Sequence, residues 1–179
     1  MKSVVIQLFR YSDEVPVPAY GTSYSACFDL SFQPVGRFSI QGYDKYNKPC
    51  DRMCYSGKVD IEPQDRILVP TGLIMKIKGN SMGDDLLSSY SIRLHARSGM
   101  SLKQGLVLAN AEGVIDVDYQ KEIFVMLTNI SAIPVTVNTG DRIAQAEVVR
   151  QCPVYFEIAK EHPKPYSERD GGFGSTGHN

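Results

Sequence analysis

The chain has 179 residues, 42% hydrophobic and 22% charged, enough to bury a sizeable core in one domain and too short for two ordinary ones. Lys and Arg number 19 against 20 Asp and Glu, for a net charge of -1, which argues against a dedicated nucleic-acid binder. There is no apolar run of ~18 residues to cross a membrane and no signal-peptide pattern at the start, so the cytoplasm is the expected compartment and no membrane partner is expected.

In chain order, Val4-Val5-Ile6-Gln7-Leu8-Phe9 opens as a short apolar run rich in β-branched residues, a predicted strand. Residues 33–58 mix Gly, Pro, Asn, Asp and Tyr and read as a surface insertion. Strands are predicted over Arg66 to Val69 and Leu73 to Ile77, and a second, shorter insertion over 78–89. Tyr90, Ile92 and Leu94 alternate with Ser91, Arg93 and His95, the pattern of a half-buried strand. One or two helical turns fit Ser98 to Gln104, stopped by Gly105. Further strands are predicted at Ile123 to Leu127, Val135 to Val137, Ala144 to Val149 and Val154 to Ile158, with Gly and Pro punctuation between them. Many short strands and almost no helix predict an all-β sandwich, jelly roll or barrel spanning residues 1–160. The tail, 161–179, is too poor in aliphatic residues to hold itself on a core and is predicted to be a mobile arm.

Cys27, Cys50, Cys54 and Cys152 form no dense framework, so free thiols are expected. Cys50 and Cys54, in a C-x3-C pair, could supply half a zinc site, but His95, His162 and His178 form no spaced pair to complete it.

Three stretches carry chemistry. In the tail, Gly171-Gly172-Phe173-Gly174-Ser175-Thr176-Gly177 offers backbone amides and hydroxyls to an anion, with Arg169 just upstream and one flat ring. That suits a lid over a nucleotide, and a functionless Gly/Ser terminus equally. It is not a P-loop, since no Lys precedes the hydroxyls. His95-Ala96-Arg97-Ser98-Gly99-Met100 sets a guanidinium, a hydroxyl and a flexible amide where a strand meets a helix, which suits phosphate or an ordinary Ser cap. Asn110-Ala111-Glu112-Gly113-Val114-Ile115-Asp116-Val117-Asp118-Tyr119 places Asp116 among apolar residues as a candidate partly desolvated general base, and Asn110 as a possible reader of a base edge. A hairpin with its acids in water fits the same spacing.

Taken together, these stretches resemble the trimeric dUTPase family. Ser25-Ala26-Cys27-Phe28-Asp29-Leu30 looks like its first motif, Arg97 to Gly105 its second and Gly113 to Tyr119 its third. Gly140-Asp141-Arg142-Ile143-Ala144-Gln145 looks like its fourth, and Gly171 to Gly177 its fifth. Five motifs in the right order identify the chain where any single one would not. A distorted jelly roll of the dUTPase-like β-clip type follows, in a homotrimer whose active sites are shared between subunits. The activity implied is Mg²⁺-assisted hydrolysis of dUTP to dUMP and pyrophosphate, which limits uracil in DNA and supplies dUMP for thymidylate synthesis.

Residue by residue, the resemblance makes Asp116 the group that activates the attacking water. Arg97, Ser98, Gly99 and Gln145 contact the phosphates. Asn110, Gly113, Val114 and Ile115 form the hairpin that admits uracil, and Tyr119 packs under the deoxyribose. Arg169, Phe173, Gly174, Ser175 and Thr176 close over base and outer phosphates, while Asp29 and Asp141 support loops. The metal is implied to ride on the substrate phosphates and water, with no direct protein ligand. Cys27 and Lys121 stand where the family usually has Gly, and Arg169 lies one residue nearer the glycines than usual. The insertions are of a kind found in viral and phage-type members, for which the compartment would be the host cytoplasm. Two other readings share the scaffold. One is a dCTP deaminase; the other is a nucleotide-sensing module that docks a protein partner through residues 33–58, where Tyr43, Tyr46, Met53 and Tyr55 are the residue types interfaces favour.

Overall fold

Alternation builds the sheets. In the computed structural model, which describes residues 4–78, 89–164 and 166, β6 (Arg66–Pro70) buries Ile67 and Val69 and turns Leu68 outward. β7 (Leu73–Lys78) buries Leu73, Met75 and Ile77 and exposes Lys76 and Lys78. A strand whose successive side chains face opposite sides can bury one row only when a second layer covers it. That layer is supplied by two main sheets. One has the order β10 (Gly113–Ile115), β8 (Tyr90–His95), β13 (Arg142–Arg150), β2 (Phe28–Ser31) and the other β4 (Pro49–Met53), β3 (Ser39–Tyr43), β6, β11 (Phe124–Asn129), β9 (Leu106–Leu108). They are flanked by the pairs β1 (Val5–Arg10) with β7 and β12 (Val135–Asn138) with β5 (Lys58–Ile61), and among the described residues every pairing is antiparallel. The core between them holds Leu30, Phe32, Ile61, Ile92, Leu94, Leu106, Leu127 and Ile143, each of which contributes roughly 1.5–3 kcal/mol by leaving water. The all-β reading is correct.

The strands that frame the site are β2 (Phe28–Ser31), β8 (Tyr90–His95), β9 (Leu106–Leu108), β10 (Gly113–Ile115), β11 (Phe124–Asn129) and β13 (Arg142–Arg150). Between β8 and β9 the helix α1 (Ser98–Gln104) occupies the predicted span. Gly105 ends it in the left-handed region, at φ 70°, and its N–H bonds the Met100 carbonyl. A Cβ there would also lie 3.1 Å from the Ser131 amide nitrogen, so both conformation and space call for glycine. The helix is capped by Arg97 in extended geometry with no side-chain cap, so Ser98 is its first helical residue rather than its cap.

Two expectations need correction. Residues 33–58 are an ordered part of the sheet rather than a loop. β3 (Ser39–Tyr43) and β4 (Pro49–Met53) form a hairpin whose turn is closed by Asp44, with its carboxylate accepting from the Tyr46 and Lys48 amides at 2.9 and 2.8 Å. Gly42 lets β3 lie against β6, since a Cβ there would fall 2.3 Å from the Arg66 carbonyl oxygen. Arg52 then forks onto the buried Asp65 at 2.6 and 2.8 Å, locking the hairpin to the body. The Gly-, Pro- and Asn-rich composition hid a hairpin because its pairing depends on β6, further along the chain. Within this hairpin Cys50 and Cys54 are separate free thiols. Residues four apart on an extended chain lie ~13 Å apart, well past the ~7 Å Cα limit of a disulfide.

The second correction is Val154 to Ile158, predicted as a strand. Residues 151–159 have no regular structure, and Tyr155, Phe156 and Ile158 are 93%, 95% and 93% exposed. β-propensity alone forms no strand where no edge of the same chain receives it. The insertion read at 78–89 lies almost wholly outside the described residues, and so does nearly all of the arm predicted from 161 onward.

Candidate active site

Two groups of candidate residues stand on the four-stranded sheet and its loops. The first gathers on Asp29. β2 and β13 pair so that Asp29 faces Gln145, and a register shift between Arg142 and Ala144 swings Arg142 toward β2. The Asp29 carboxylate accepts from Arg97 Nε at 2.9 Å and from Arg142 Nη1 at 3.0 Å, while Arg97 Nη1 also donates to the Arg142 carbonyl at 3.3 Å. Gln145 Nε2 donates to the Ala96 carbonyl at 3.2 Å, tying β13 to the strand that leads into α1. Arg97 is thus aimed before any ligand arrives. Ser98 and Gly99 follow it exposed, and a side chain on Gly99 would meet only open space. Asp141 acts at the next turn, where its carboxylate accepts from the Asn138 amide at 2.8 Å. Burial, with Glu147 and Asp29 close by, pushes the Cys27 thiol above its ordinary range.

The second group lies along β9, β10 and the turn between them. Asn110 is exposed at this turn, and Ala111 adopts φ 60° there. Gly113 sits opposite Leu94, whose Cβ would be 2.9 Å from a Cβ at 113, so only glycine lets β10 pack this close to β8. Val114 and Ile115 complete β10. Asp116 follows at the point where the chain leaves the sheet, and among the described residues its side chain is exposed rather than desolvated. The Tyr119 amide bonds the Asp116 carbonyl at 3.1 Å, and the Tyr119 hydroxyl donates to the Glu122 carbonyl at 2.9 Å. Burial, with Glu122 nearby, raises the Tyr119 phenol above its usual range.

Glu122 is not among the residues selected from the sequence. It is buried, accepts from the Gly72 amide at 2.9 Å and pairs with Arg37, whose guanidinium lies 5.1 Å over the Phe124 ring. Its only signal was a charged residue directly before an apolar strand. Among the described residues, no hydrogen bond or ion pair joins Asp116 or Tyr119 to Arg97, Ser98 or Gln145. Arg169, Phe173, Gly174, Ser175 and Thr176 lie outside the described residues.

The family model for dUTPase matches residues 52–177. The chain belongs to the dUTPase family. It is a hydrolase of nucleotide metabolism, a dUTP diphosphatase by family. A deoxyuridine 5'-triphosphate nucleotidohydrolase of Legionella pneumophila (strain Paris) is 34% identical over 168 residues, covering 94% of this chain and 91% of the relative. In fold the chain is similar to a Staphylococcus bacteriophage 80alpha dUTPase variant with dUpNHpp (TM-score 0.69, 18% identity, 97% and 98% of the two chains). It is also similar to the Streptococcus mutans dUTPase (TM-score 0.59, 24% identity, 84% and 98%). These likenesses make the fold that of the dUTPase jelly roll. Among the described residues, no helix is long and apolar enough to cross a membrane.

Proposed function

We propose that the chain hydrolyses dUTP to dUMP and pyrophosphate, in the cytoplasm of its cell or host, with Asp116 orienting and deprotonating the water that attacks the α-phosphorus. The observation that carries this reading is the prebuilt Arg97 fork beside an exposed Ser98–Gly99 backbone, on the same sheet as the Gly113–Ile115 hairpin. The first offers donors to phosphate. The second offers backbone groups and Asn110 to a base edge, with Tyr119 beside it.

The candidate groups fit Mg²⁺ in one way. Asp29 is engaged by two arginines, and Asp116 has only Asp118 as a carboxylate neighbour on its turn, so the donor set suits a cation carried by the triphosphate and water rather than a protein cage. When bound, that ion would supply neutralisation of phosphate charge. The protein's own residues do the rest. Arg97 and Gln145 position phosphate, Asp116 takes the proton from water, and Tyr119 packs under the sugar, where a 2′-hydroxyl would clash. Arg169, Phe173, Gly174, Ser175 and Thr176 close the arm over the base and outer phosphates.

A homotrimer with shared sites belongs to this reading. It is supported by the two unlinked residue groups and by Tyr155, Phe156 and Ile158, which no other described residue covers. The β3–β4 hairpin favours a second role as a docking element, because it is rigidly tied through Arg52 yet presents Tyr46, Met53 and Tyr55 to solvent.

Pyrophosphate release with Mg²⁺ from dUTP, dCTP, dTTP and UTP tests the proposal. Release from dUTP alone is expected. Silence on all four with tight dUTP binding would make the chain a sensor instead, and ammonia from dCTP would make it a deaminase.

A further inference from the structure

A polar cluster outside the residues assigned so far ties down the turn between β9 and β10. Arg93 and His95 are two apart on β8 and so point to the same face of the sheet. Neighbouring elements bring a carboxylate to them from each side. From the β9–β10 turn, Glu112 Oε2 accepts from Arg93 Nη1 at 2.9 Å, and Glu112 Oε1 stands 3.8 Å from His95 Nδ1. From β13, Glu147 faces Arg93 across the ladder, and its Oε1 lies 3.1 Å from His95 Nε2. Arg93 Nε is itself steadied by Ser91 Oγ at 3.1 Å.

The turn needs such a tie. Ala111 holds a left-handed conformation that residues with a side chain seldom adopt, and β10 is three residues long and, among the described residues, hydrogen-bonded to β8 alone. The turn's own geometry and its short ladder therefore fix it weakly. Glu112 is the side chain through which it is fastened to the rigid centre of the sheet. The four groups are a quarter to nearly half exposed, so solvent screens them and their effect on global stability is small. What remains is placement.

We propose that Glu112, gripped by Arg93 and by a His95 that Glu147 holds in turn, is a positioning residue for base selection. It sets how far the Asn110–Ile115 hairpin stands from the sheet, and so the width of the slot that receives the base. This deepens the dUTP reading and rests on it. Loosening the tie lets the slot widen, which weakens the hold on uracil and relaxes the exclusion of a 5-methyl group.

The test compares wild type, Glu112→Ala, Arg93→Ala and the charge-swapped double variant Arg93→Glu/Glu112→Arg. Each is measured for the affinity of dUpNHpp, for kcat and KM on dUTP and dTTP, and for thermal midpoint. Glu112→Ala and Arg93→Ala are expected to weaken dUpNHpp binding ~3–10-fold and to narrow the dUTP-over-dTTP ratio of kcat/KM by a similar factor. The loss should appear in KM rather than kcat, at an unshifted midpoint, and the swapped pair should recover part of both. Wild-type affinity and selectivity in the single variants would overturn the proposal. So would losses that only track a fallen midpoint. A wild type inert toward dUTP would instead bring down the underlying reading, and this inference with it.

Discussion

The Arg97 side and the hairpin side of the candidate site are built in opposite ways. Arg97 is held by a half-buried carboxylate on β2 that also holds Arg142 on the neighbouring β13. Asp116 and Asn110 project from a short edge strand and a turn, exposed, with only backbone bonds and the Glu112 tie behind them. A phosphate carries fixed charge, and a preset fork can meet it without rearranging. In the proposed function, the wall of the base slot takes its position from the Glu112 tie, and the water-activating carboxylate has solvent at hand.

Four measurements would break or sharpen that contrast. The largest effect is expected from Asp116→Asn, which keeps shape but cannot take a proton. Turnover should fall ~10²–10⁴-fold with dUTP affinity nearly unchanged in single-turnover and binding assays; an equal loss of affinity would make Asp116 a binding group. Next is a pair remote from the site. Arg52→Ala strands the buried Asp65 carboxylate and should cost about 3 kcal/mol in urea unfolding while leaving the KM for dUTP as it was. A raised KM would show that the β3–β4 hairpin is coupled to the site.

Asp29→Asn removes the charge shared by Arg97 and Arg142. It should lower stability by about 1 kcal/mol and raise the KM for dUTP, with kcat falling less. Unchanged KM would mean that Arg97 finds its pose without the brace. The smallest effect concerns Tyr119, whose phenol is raised by burial and donates to the Glu122 carbonyl. An unfolded tyrosine gives up its proton near ~10, so above that pH the folded state binds more protons than the unfolded one. The contribution is complete below that point and is lost as pH rises toward the folded value. Tyr55, hydrogen-bonded to Asp60, is raised as well, so ultraviolet titration should show late-ionising tyrosines of which Tyr119→Phe removes one.

Local signals were legible where local physics decides them. The alternation in Tyr90 to His95, the run before Gly105 and the Gly-Pro punctuation led directly to β8, to α1 and to an all-β fold. Val154 to Ile158 carried the same signal and formed no strand, because a strand needs an edge and the described residues pair none with it. Residues 33–58 carried the opposite signal and formed β3 and β4, because β6 and Asp65 supplied the missing edge and counter-charge.

The chemistry divides along the same line. Candidates to meet phosphate, base and water could be selected from the order of the motifs, since reactivity belongs to the side chain itself. That Asp29 braces two arginines, that Glu122 stands behind Tyr119 and that Glu112 fastens a turn to β8 was decided only in three dimensions. Those partners are separated by between 3 and 113 positions. A sequence lists charges, but the sheet register determines which of them come within bonding reach.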